Sequence, residues 1–249
     1  MSDQVALQLY TLRQQLDEDF SGTMDRVAEF GYKAVETAGF PKAVSISEAG
    51  QLFKDLGLTV CSAHLPLPFG ADKSKVLDLA ETYGSRRIIT ASLQASDYAT
   101  KDKTLKTCDR INEANLVAQE NDLILGIHNH WWEFQKVDGH YPFEVALERL
   151  EPDVFFELDV YWIQSAGIDP VGIVRDFGDR APLLHIKDGP AGADTDAAMT
   201  ALGQGEVDIP AILNASAGSA EWLIVELDRC DTDMLKAVSQ SYEYLAGLL

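Results

Sequence analysis

The stretch that decides the fold is 123–134, LILGIHNHWWEF, read together with 154–162 VFFELDVYW, 183–188 LLHIKD and 223–228 LIVELD. Each stretch begins with an apolar run rich in β-branched residues and ends with His, Glu or Asp. Runs of this kind form strands that are buried on both faces of a parallel sheet. When such a sheet closes into a barrel, the side chains at the carboxyl ends of its strands share one site. The pattern therefore predicts neighbouring strands that deliver carboxylates and imidazoles to one rim.

Strand and helix patterns alternate along the whole chain. The predicted strands are Val5–Leu9, Ala34–Thr37, Thr59–His64, Arg87–Thr90, Leu123–His128, Val154–Asp159, Pro182–Ile186 and Trp222–Leu227. The predicted helices are Ser21–Phe30, Ser47–Leu56, Lys75–Tyr83, Lys103–Asn121, Pro142–Leu150, Pro170–Phe177, Ile209–Ala217 and Thr232–Leu245. Asp169 and Asp208 precede early helical prolines and predict helix starts. Gly31, Gly57 and Gly84 predict helix ends.

Eight strand–helix units without a Pro-rich or Ser-rich linker predict a single (β/α)8 TIM barrel that spans residues 1–249. An open, doubly wound sheet is the alternative. That architecture normally carries a glycine-rich turn after its first strand, and this chain has LYTLRQQL there. The barrel is therefore the favoured fold.

Composition and cysteine usage indicate the cellular compartment of the protein. The 249 residues are 46% hydrophobic, and no apolar run approaches the roughly 20 residues that span a bilayer. The amino-terminal sequence lacks the pattern of a cleavable signal peptide. Cys61, Cys108 and Cys230 are odd in number and lack C-x-x-C spacing, so we expect reduced side chains. These features predict a cytoplasmic protein.

The charge balance is strongly acidic, with 40 Asp and Glu against 20 Lys and Arg and a net charge of −20. Such a surface repels nucleic acid and anionic membranes, so neither is an expected partner. The same excess is typical of proteins adapted to high internal salt. A merely acidic cytosolic enzyme is the equal alternative.

Four of the five histidines fall at predicted strand ends or in the loops that follow. The residues at these positions are Gln8, Tyr10, Glu36, His64, Thr90, His128, His130, Glu133, Asp159, Trp162, His185, Lys187, Asp188, Glu226 and Asp228. A metal or acid–base site requires such a concentration, whereas scattered core histidines do not. The set Asp159, His185 and Glu226 is the strongest functional candidate, while His64 and Asp228 suit a structural role equally well.

The motifs HNHWWEF, ELDVYW with the following AGIDP, DRAPLLHIKD, GQGEVD and IVELD resemble those of the xylose isomerase-like sugar isomerase/epimerase superfamily. Its members include D-tagatose 3-epimerase, inosose dehydratase and lyases that act on 3-keto-glycosides. The resemblance covers nearly the whole chain. It implies a TIM barrel with one divalent ion, Mn²⁺ in first place and Mg²⁺ or Co²⁺ as alternatives.

By this resemblance, the metal ligands are Glu133, Asp159, His185 and Glu226, with His128 competing with Glu133 for the fifth-strand position. A set rich in carboxylates with one imidazole suits Mn²⁺ or Mg²⁺ better than a soft ion. Glu133 and Glu226 can act both as ligands and as bases. His130 is the candidate additional base, and His128 is its competitor.

The expected substrate-binding residues are Gln8, Glu36, His64, His128, Trp162 and Lys187, with Trp131 and Trp132 as further flat faces. Basic residues do not cluster as a phosphate clamp would require, so a non-phosphorylated sugar or cyclitol is the expected partner. The glycines of GQGEVD either bring the backbone close to the substrate or form a simple turn. The sequence is also compatible with a homo-oligomer.

Three reactions are compatible with this site. The leading hypothesis is an isomerase or epimerase that removes the proton next to the carbonyl of a keto-sugar through a metal-stabilised enediolate. The second is a lyase, either an inosose dehydratase or a 3-keto-glycoside eliminase, which HNHxxEF favours. The third, an endonuclease at abasic sites, requires a basic groove that a charge of −20 does not provide.

Overall fold

Eight parallel strands close into a barrel in the computed structural model, which describes residues 4–39, 44–192 and 194–249. The strands are β1 Val5–Gln8, β2 Ala34–Ala38, β3 Thr59–His64, β4 Arg87–Thr90, β5 Ile124–His128, β6 Phe155–Asp159, β7 Leu183–Ile186 and β8 Trp222–Val225. They follow one another in chain order, and β1 pairs with β8 to complete the ring. The predicted TIM barrel is confirmed.

The described residues form ten α-helices, most of them on the outside of the barrel. They are α1 Arg13–Glu18, α2 Phe20–Phe30, α3 Ile46–Asp55, α4 Lys73–Tyr83, α5 Lys101–Gln119, α6 Pro142–Arg149, α7 Val160–Ser165, α8 Pro170–Phe177, α9 Ile209–Ala215 and α10 Met234–Leu248. The carboxylates of Asp169 and Asp208 accept backbone N–H bonds at the starts of α8 and α9, as predicted. Gly31 and Gly84 end α2 and α4 in the left-handed conformation.

Two short helices, α1 and α7, were not expected from the sequence. The stretch VYWIQS of α7 is apolar and β-prone, so its pattern continues that of β6. The Asp159 side chain ends the strand, because its Oδ1 accepts the backbone N–H of Trp162 at 3.0 Å and caps α7. Strand β8 likewise ends at Val225, not at the predicted Leu227, which places Glu226 just beyond the strand.

Side chains that point into the barrel form layers, because alternate residues of a strand face the same side. An apolar layer consists of Ala6, Ala34, Cys61, Ile89, Phe155, Leu183 and Ile224. The Phe155 ring occupies the space beside Gly126, where any Cβ would collide with it. Two residues beyond the layer residues of β1, β2, β6, β7 and β8, the chain carries the polar side chains of Gln8, Glu36, Glu157, His185 and Glu226.

The region that carries these polar groups is the carboxyl end of the barrel, where barrel enzymes build their sites. None of the helices in the described ranges is both long and apolar enough to cross a membrane.

Candidate active site

A two-residue period on the neighbouring strands β6 and β7 builds the centre of the candidate site. Phe155 in the apolar layer is followed by Glu157 and Asp159, and Leu183 is followed by His185 and Lys187. All four polar side chains are buried. Buried charges are stable only when they are paired, so the arrangement of their partners determines what the site can do.

Three of the four predicted metal ligands come together. The donor atoms of Asp159, His185 and Glu226 lie within 4.8 Å of one another, and His185 Nδ1 lies 2.8 Å from Glu226 Oε2. Asp159 Oδ2 has no hydrogen-bond partner of good geometry within the described part of the chain. Two carboxylates and one imidazole are a donor set that Mn²⁺ or Mg²⁺ accepts. These residues can hold a divalent cation.

The fourth predicted ligand, Glu133, lies on a short 3-10 turn, Trp132–Phe134, and is not a member of that group. Its Oε2 accepts the backbone N–H of His130 at 2.9 Å. Among the described residues, its Oε1 has no hydrogen-bond partner, although the side chain is buried. Glu133 is therefore a buried carboxylate with one oxygen unused.

Lys187 lies among the carboxylates of the candidate metal site. Its Nζ is 2.9 Å from Asp159 Oδ2, 2.7 Å from Glu226 Oε2 and 2.7 Å from Asp228 Oδ2. Burial alone would lower the pKa of Lys187, but these three carboxylates outweigh burial and raise it well above its ordinary value. The ammonium also lies 5.1 Å from the centre of the Trp162 ring. Lys187 therefore neutralises part of the charge of the carboxylates that a metal would share.

Glu36 and Gln8 lie beneath His185, outside the set of residues that line the cavity. Glu36 Oε1 is 2.6 Å from His185 Nε2 and accepts a hydrogen bond from Gln8 Nε2 at 2.7 Å. Ser62 Oγ donates to Glu36 Oε2 at 2.5 Å. This carboxylate fixes the orientation of the imidazole, so that Nδ1 points toward Glu226. Both residues were expected to contact substrate, and the structure places them one layer further in.

Glu157 is a member of the site that the sequence analysis missed. His64 Nε2 lies 2.6 Å from Glu157 Oε2, and His128 Nδ1 and His185 Nε2 each lie 3.2 Å from the same oxygen. The signal was present in FFELD, because Glu157 and Asp159 are two residues apart and face the same side of the strand.

Asn129 is a second missed residue, at the middle of the HNH motif. Its Oδ1 accepts the backbone N–H of Asp159 at 2.9 Å, and its Nδ2 donates to the Asp159 carbonyl at 3.3 Å. The amide thus pairs with the backbone at the end of β6 as a neighbouring strand would. It holds the backbone of the candidate ligand Asp159 in place.

A cavity of about 330 Å³ opens above these groups. Its lining residues are Tyr10, Ala38, His64, Ala91, His128, His130, Trp131, Trp132, Trp162, Lys187, Glu226, Asp228 and Arg229. Trp131 contacts both Trp132 and Trp162, with ring centres 4.6 and 5.0 Å apart. The His130 ring stacks on Trp132 at 4.1 Å. The cavity therefore combines an aromatic wall with a charged floor.

The GQGEVD segment is organised by a buried carboxylate. Asp188 accepts four backbone N–H bonds, from Gly189, Gly203, Gly205 and Val207, at 2.8 to 3.1 Å. A Cβ at Gly205 would collide with the Asp188 carboxylate and with the Gly189 nitrogen. The glycines thus bring the backbone close to Asp188, so Asp188 and this loop form a structural unit beside the site.

Comparison with known families assigns the chain to one of them. The family model of the xylose isomerase-like TIM barrel matches residues 24–247. The chain belongs to this family. The superfamily expected from its motifs is thereby confirmed. No curated protein matches the chain in sequence.

Several solved structures align over almost the entire chain. A sugar phosphate isomerase/epimerase from Parabacteroides distasonis ATCC 8503 is 25% identical, with a TM-score of 0.82 over 98% of this chain and 94% of that chain. A probable 3-DHS dehydratase from Bacillus anthracis is 16% identical, with a TM-score of 0.76 over 98% of both chains. An L-ribulose 3-epimerase is 17% identical, with a TM-score of 0.70 over 98% of this chain and 94% of that chain. The family and these structural neighbours are enzymes, and the last two likenesses concern the fold alone.

Proposed function

We propose that the chain is a metal-dependent isomerase or epimerase that removes the proton next to the carbonyl of a keto-sugar or related polyol. The observation that carries the proposal is the convergence of Asp159, His185 and Glu226 donor atoms within 4.8 Å, beside a cavity large enough for a small polar ligand. The likeness to a sugar phosphate isomerase/epimerase at 25% identity is consistent with it.

Asp159, His185 and Glu226 would hold the ion, and the unused Oε1 of Glu133 makes that residue the proposed fourth ligand. Mn²⁺ is the favoured ion, with Mg²⁺ or Co²⁺ as alternatives. When bound, a divalent ion supplies Lewis-acid polarisation of the carbonyl oxygen. The carboxylates of Asp159, Glu226 and Asp228 surround one ammonium, that of Lys187, so their charge is only partly neutralised. This excess favours a cation.

Glu226 lines the cavity and would serve as ligand and as base. Burial alone would raise the pKa of Glu226, but Lys187 and His185 outweigh burial and lower it. The carboxylate is therefore ionised at neutral pH, as metal binding requires. A low pKa also makes it a weak proton acceptor, which favours a second base at the cavity wall.

His130 is the proposed second base. It lines the cavity, and its Nδ1 has no hydrogen-bond partner among the residues that the structure describes. Glu133 Oε1 lies 4.0 Å from this nitrogen.

A non-phosphorylated sugar or cyclitol is the proposed substrate class. The cavity contains two side chains that carry a permanent positive charge, Lys187 and Arg229, among its described lining residues. Three carboxylates contact Lys187, and Arg229 Nη1 donates to Thr195 O and Asp196 Oδ1. Neither is free to clamp a phosphate. Trp131, Trp132 and Trp162 offer flat faces for a sugar ring, and His64, His128 and Lys187 offer hydrogen bonds to hydroxyls.

A lyase is the second candidate, since the same proton removal followed by loss of a β-hydroxyl or glycosyl group gives elimination. The observation that favours it is the motif HNHxxEF, which resembles that of the lyases and places His130 at the cavity wall. An inosose or a 3-keto-glycoside would be the substrate. The charge of −20 argues against an abasic-site endonuclease and against nucleic acid as a partner.

The test is incubation of the Mn²⁺-loaded protein with ketoses, inososes and 3-keto-glycosides in D₂O, followed by NMR. Deuterium incorporation with a rearranged sugar and no elimination supports the isomerase or epimerase. Release of water or aglycone supports the lyase. Asp159→Asn should lose the ion assigned to Asp159, His185 and Glu226 and should lose turnover, while Asp25→Asn, an exposed residue of α2, should retain both. Full metal occupancy and turnover in Asp159→Asn would overturn the proposal.

A further inference from the structure

A second group of metal-type donors surrounds the other ring nitrogen of His185, Nε2. It consists of His64 from β3, His128 from β5, Glu157 from β6 and His185 from β7. One donor atom from each lies within 4.8 Å of the other three. His128, Glu157 and His185 are buried, and the His64 side chain is only 12% exposed.

The three imidazoles converge on one carboxylate oxygen, at 2.6 Å for His64 Nε2 and 3.2 Å for both His128 Nδ1 and His185 Nε2. Hydrogen bonds do not account for every polar atom of this group. Within the described ranges, His128 Nδ1 and Glu157 Oε1 have no hydrogen-bond partner of good geometry. Unpartnered buried polar atoms are costly, and a bound ion is one recognised way in which proteins satisfy them.

The spacing of the donors is close to that of a coordination shell. Around a tetrahedral ion with bonds of about 2.0–2.1 Å, adjacent donors lie about 3.4 Å apart. Two of the three nitrogen–oxygen distances, at 3.2 Å, are near this value. The third distance, 2.6 Å between His64 Nε2 and Glu157 Oε2, would have to lengthen for an ion to fit between the two atoms.

We propose that His64, His128, Glu157 and His185 bind a second divalent ion, separate from the one assigned to Asp159 and Glu226. Three imidazoles and one carboxylate are typical of a transition ion such as Zn²⁺ or Co²⁺, because imidazole suits these ions better than it suits Mg²⁺. The inference does not depend on which sugar reaction the protein catalyses. Because His64 and His128 line the cavity, this ion would lie at the cavity floor.

His185 faces both donor groups. Its Nδ1 lies 2.8 Å from Glu226 Oε2, and its Nε2 lies 3.2 Å from Glu157 Oε2. His185 would therefore offer one ring nitrogen to each ion, and holding both would require the ring to give up both of its N–H protons to water. In the ion-free protein, Glu36 Oε1 at 2.6 Å accepts the hydrogen bond of Nε2 instead.

The experiment is a metal count. The protein is stripped with a chelator, reloaded with Co²⁺ alone, desalted and analysed by elemental analysis together with Co²⁺ visible absorption. The wild-type chain should retain two ions. His128→Gln and Glu157→Gln should each retain one, and Asp159→Asn should retain one. His140→Gln, a change of the exposed histidine outside the group, should retain two.

One ion in the wild type, unchanged in His128→Gln and Glu157→Gln, would overturn the inference. Two ions in the wild type and in both variants would also overturn it, since the second ion would then lie elsewhere. The number of ions in the wild-type protein is a test that needs no substitution. Circular dichroism checks that each variant folds. Loss of one ion in Glu157→Gln with no loss in Asp159→Asn would sustain this inference while contradicting the metal site of the proposed function.

Discussion

Two neighbouring histidines, His64 and His128, have pKa values shifted in opposite directions. Burial alone would lower the pKa of His64, but the Glu36 and Glu157 carboxylates outweigh burial and raise it to about 10. Burial also lowers the pKa of His128, and there the nearby His185 and His130 rings add to the effect. His64 is therefore the charged ring and His128 the neutral one, although they lie side by side with ring centres 5.3 Å apart.

The raised pKa of His64 predicts a pH dependence for the metal-free protein. The folded chain holds a proton on His64 that the unfolded chain loses above about pH 6.5. The stabilisation is complete below that pH and is lost as the pH rises through about 10. With a chelator present, the free energy of unfolding measured by urea denaturation should fall between these two pH values. His64→Gln should weaken that slope, and His140→Gln should preserve it. An equal slope in His64→Gln would contradict the assignment.

Substitution of His130 separates proton transfer from metal binding. His130→Ala should lower kcat by roughly 10²-fold or more, the usual contribution of a general base, while the metal content stays unchanged. Exchange of the substrate α-proton, followed by NMR in D₂O with the metal-replete variant, measures the step directly. His140→Ala is the matched control. Exchange near the wild-type rate in His130→Ala would assign the base to Glu133 or Glu226.

At the scale of elements, polar side chains hold the backbone in place at the ends of β6 and β7. Asp159 ends β6 and caps α7, and Asn129 hydrogen-bonds to the backbone of Asp159. Beyond β7, Asp188 gathers the backbone N–H groups of the segment that leads to α9. These contacts hold in place the loops from which the candidate site is built.

Removal of the Asp188 carboxylate should destabilise this loop strongly. Asp188→Ala leaves four N–H donors without their acceptor, and we expect a loss of about 3–5 kcal/mol in the free energy of unfolding. Asp208→Ala, in the same loop, removes only the cap of α9 and should cost about 1 kcal/mol. Urea denaturation of both variants makes the comparison. Equal losses would mean that the four bonds contribute little.

At the scale of the whole molecule, acidic charge dominates. Basic residues are half as numerous as acidic ones, at 20 against 40, so most carboxylates repel one another across the surface. Ion pairs such as Arg149 with Asp109 are present but exposed, and exposed pairs contribute little. The net repulsion destabilises the folded chain when salt is scarce.

The melting temperature should therefore rise as KCl increases from millimolar toward molar concentration. The screening length shortens from about 30 Å at 0.01 M to about 3 Å at 1 M, which removes repulsion between surface carboxylates. Thermal denaturation by circular dichroism measures the shift. Sucrose at matched osmolality is the control, since it raises stability without screening charge. A melting temperature that is flat or falls in KCl would leave an ordinary acidic enzyme and remove the interpretation of salt adaptation.

Local patterns in the sequence determined the strand order and the identity of the rim residues, because strand alternation and helix caps depend on neighbours within a few positions. Asp159, His185 and Glu226 were predicted to meet because consecutive parallel strands end at one rim. The two-residue period in FFELD also contained the signal for Glu157, which the analysis did not use.

Only the tertiary structure decided which partner each of those side chains contacts. The contact between Glu36 and His185 joins residues 149 positions apart, and that between Lys187 and Asp228 joins residues 41 apart. Such pairs are set by barrel closure, strand stagger and the exact reach of each rotamer, and no local pattern encodes them. For that reason the sequence placed Gln8 and Glu36 at the substrate, whereas the folded barrel places them behind the imidazole they orient.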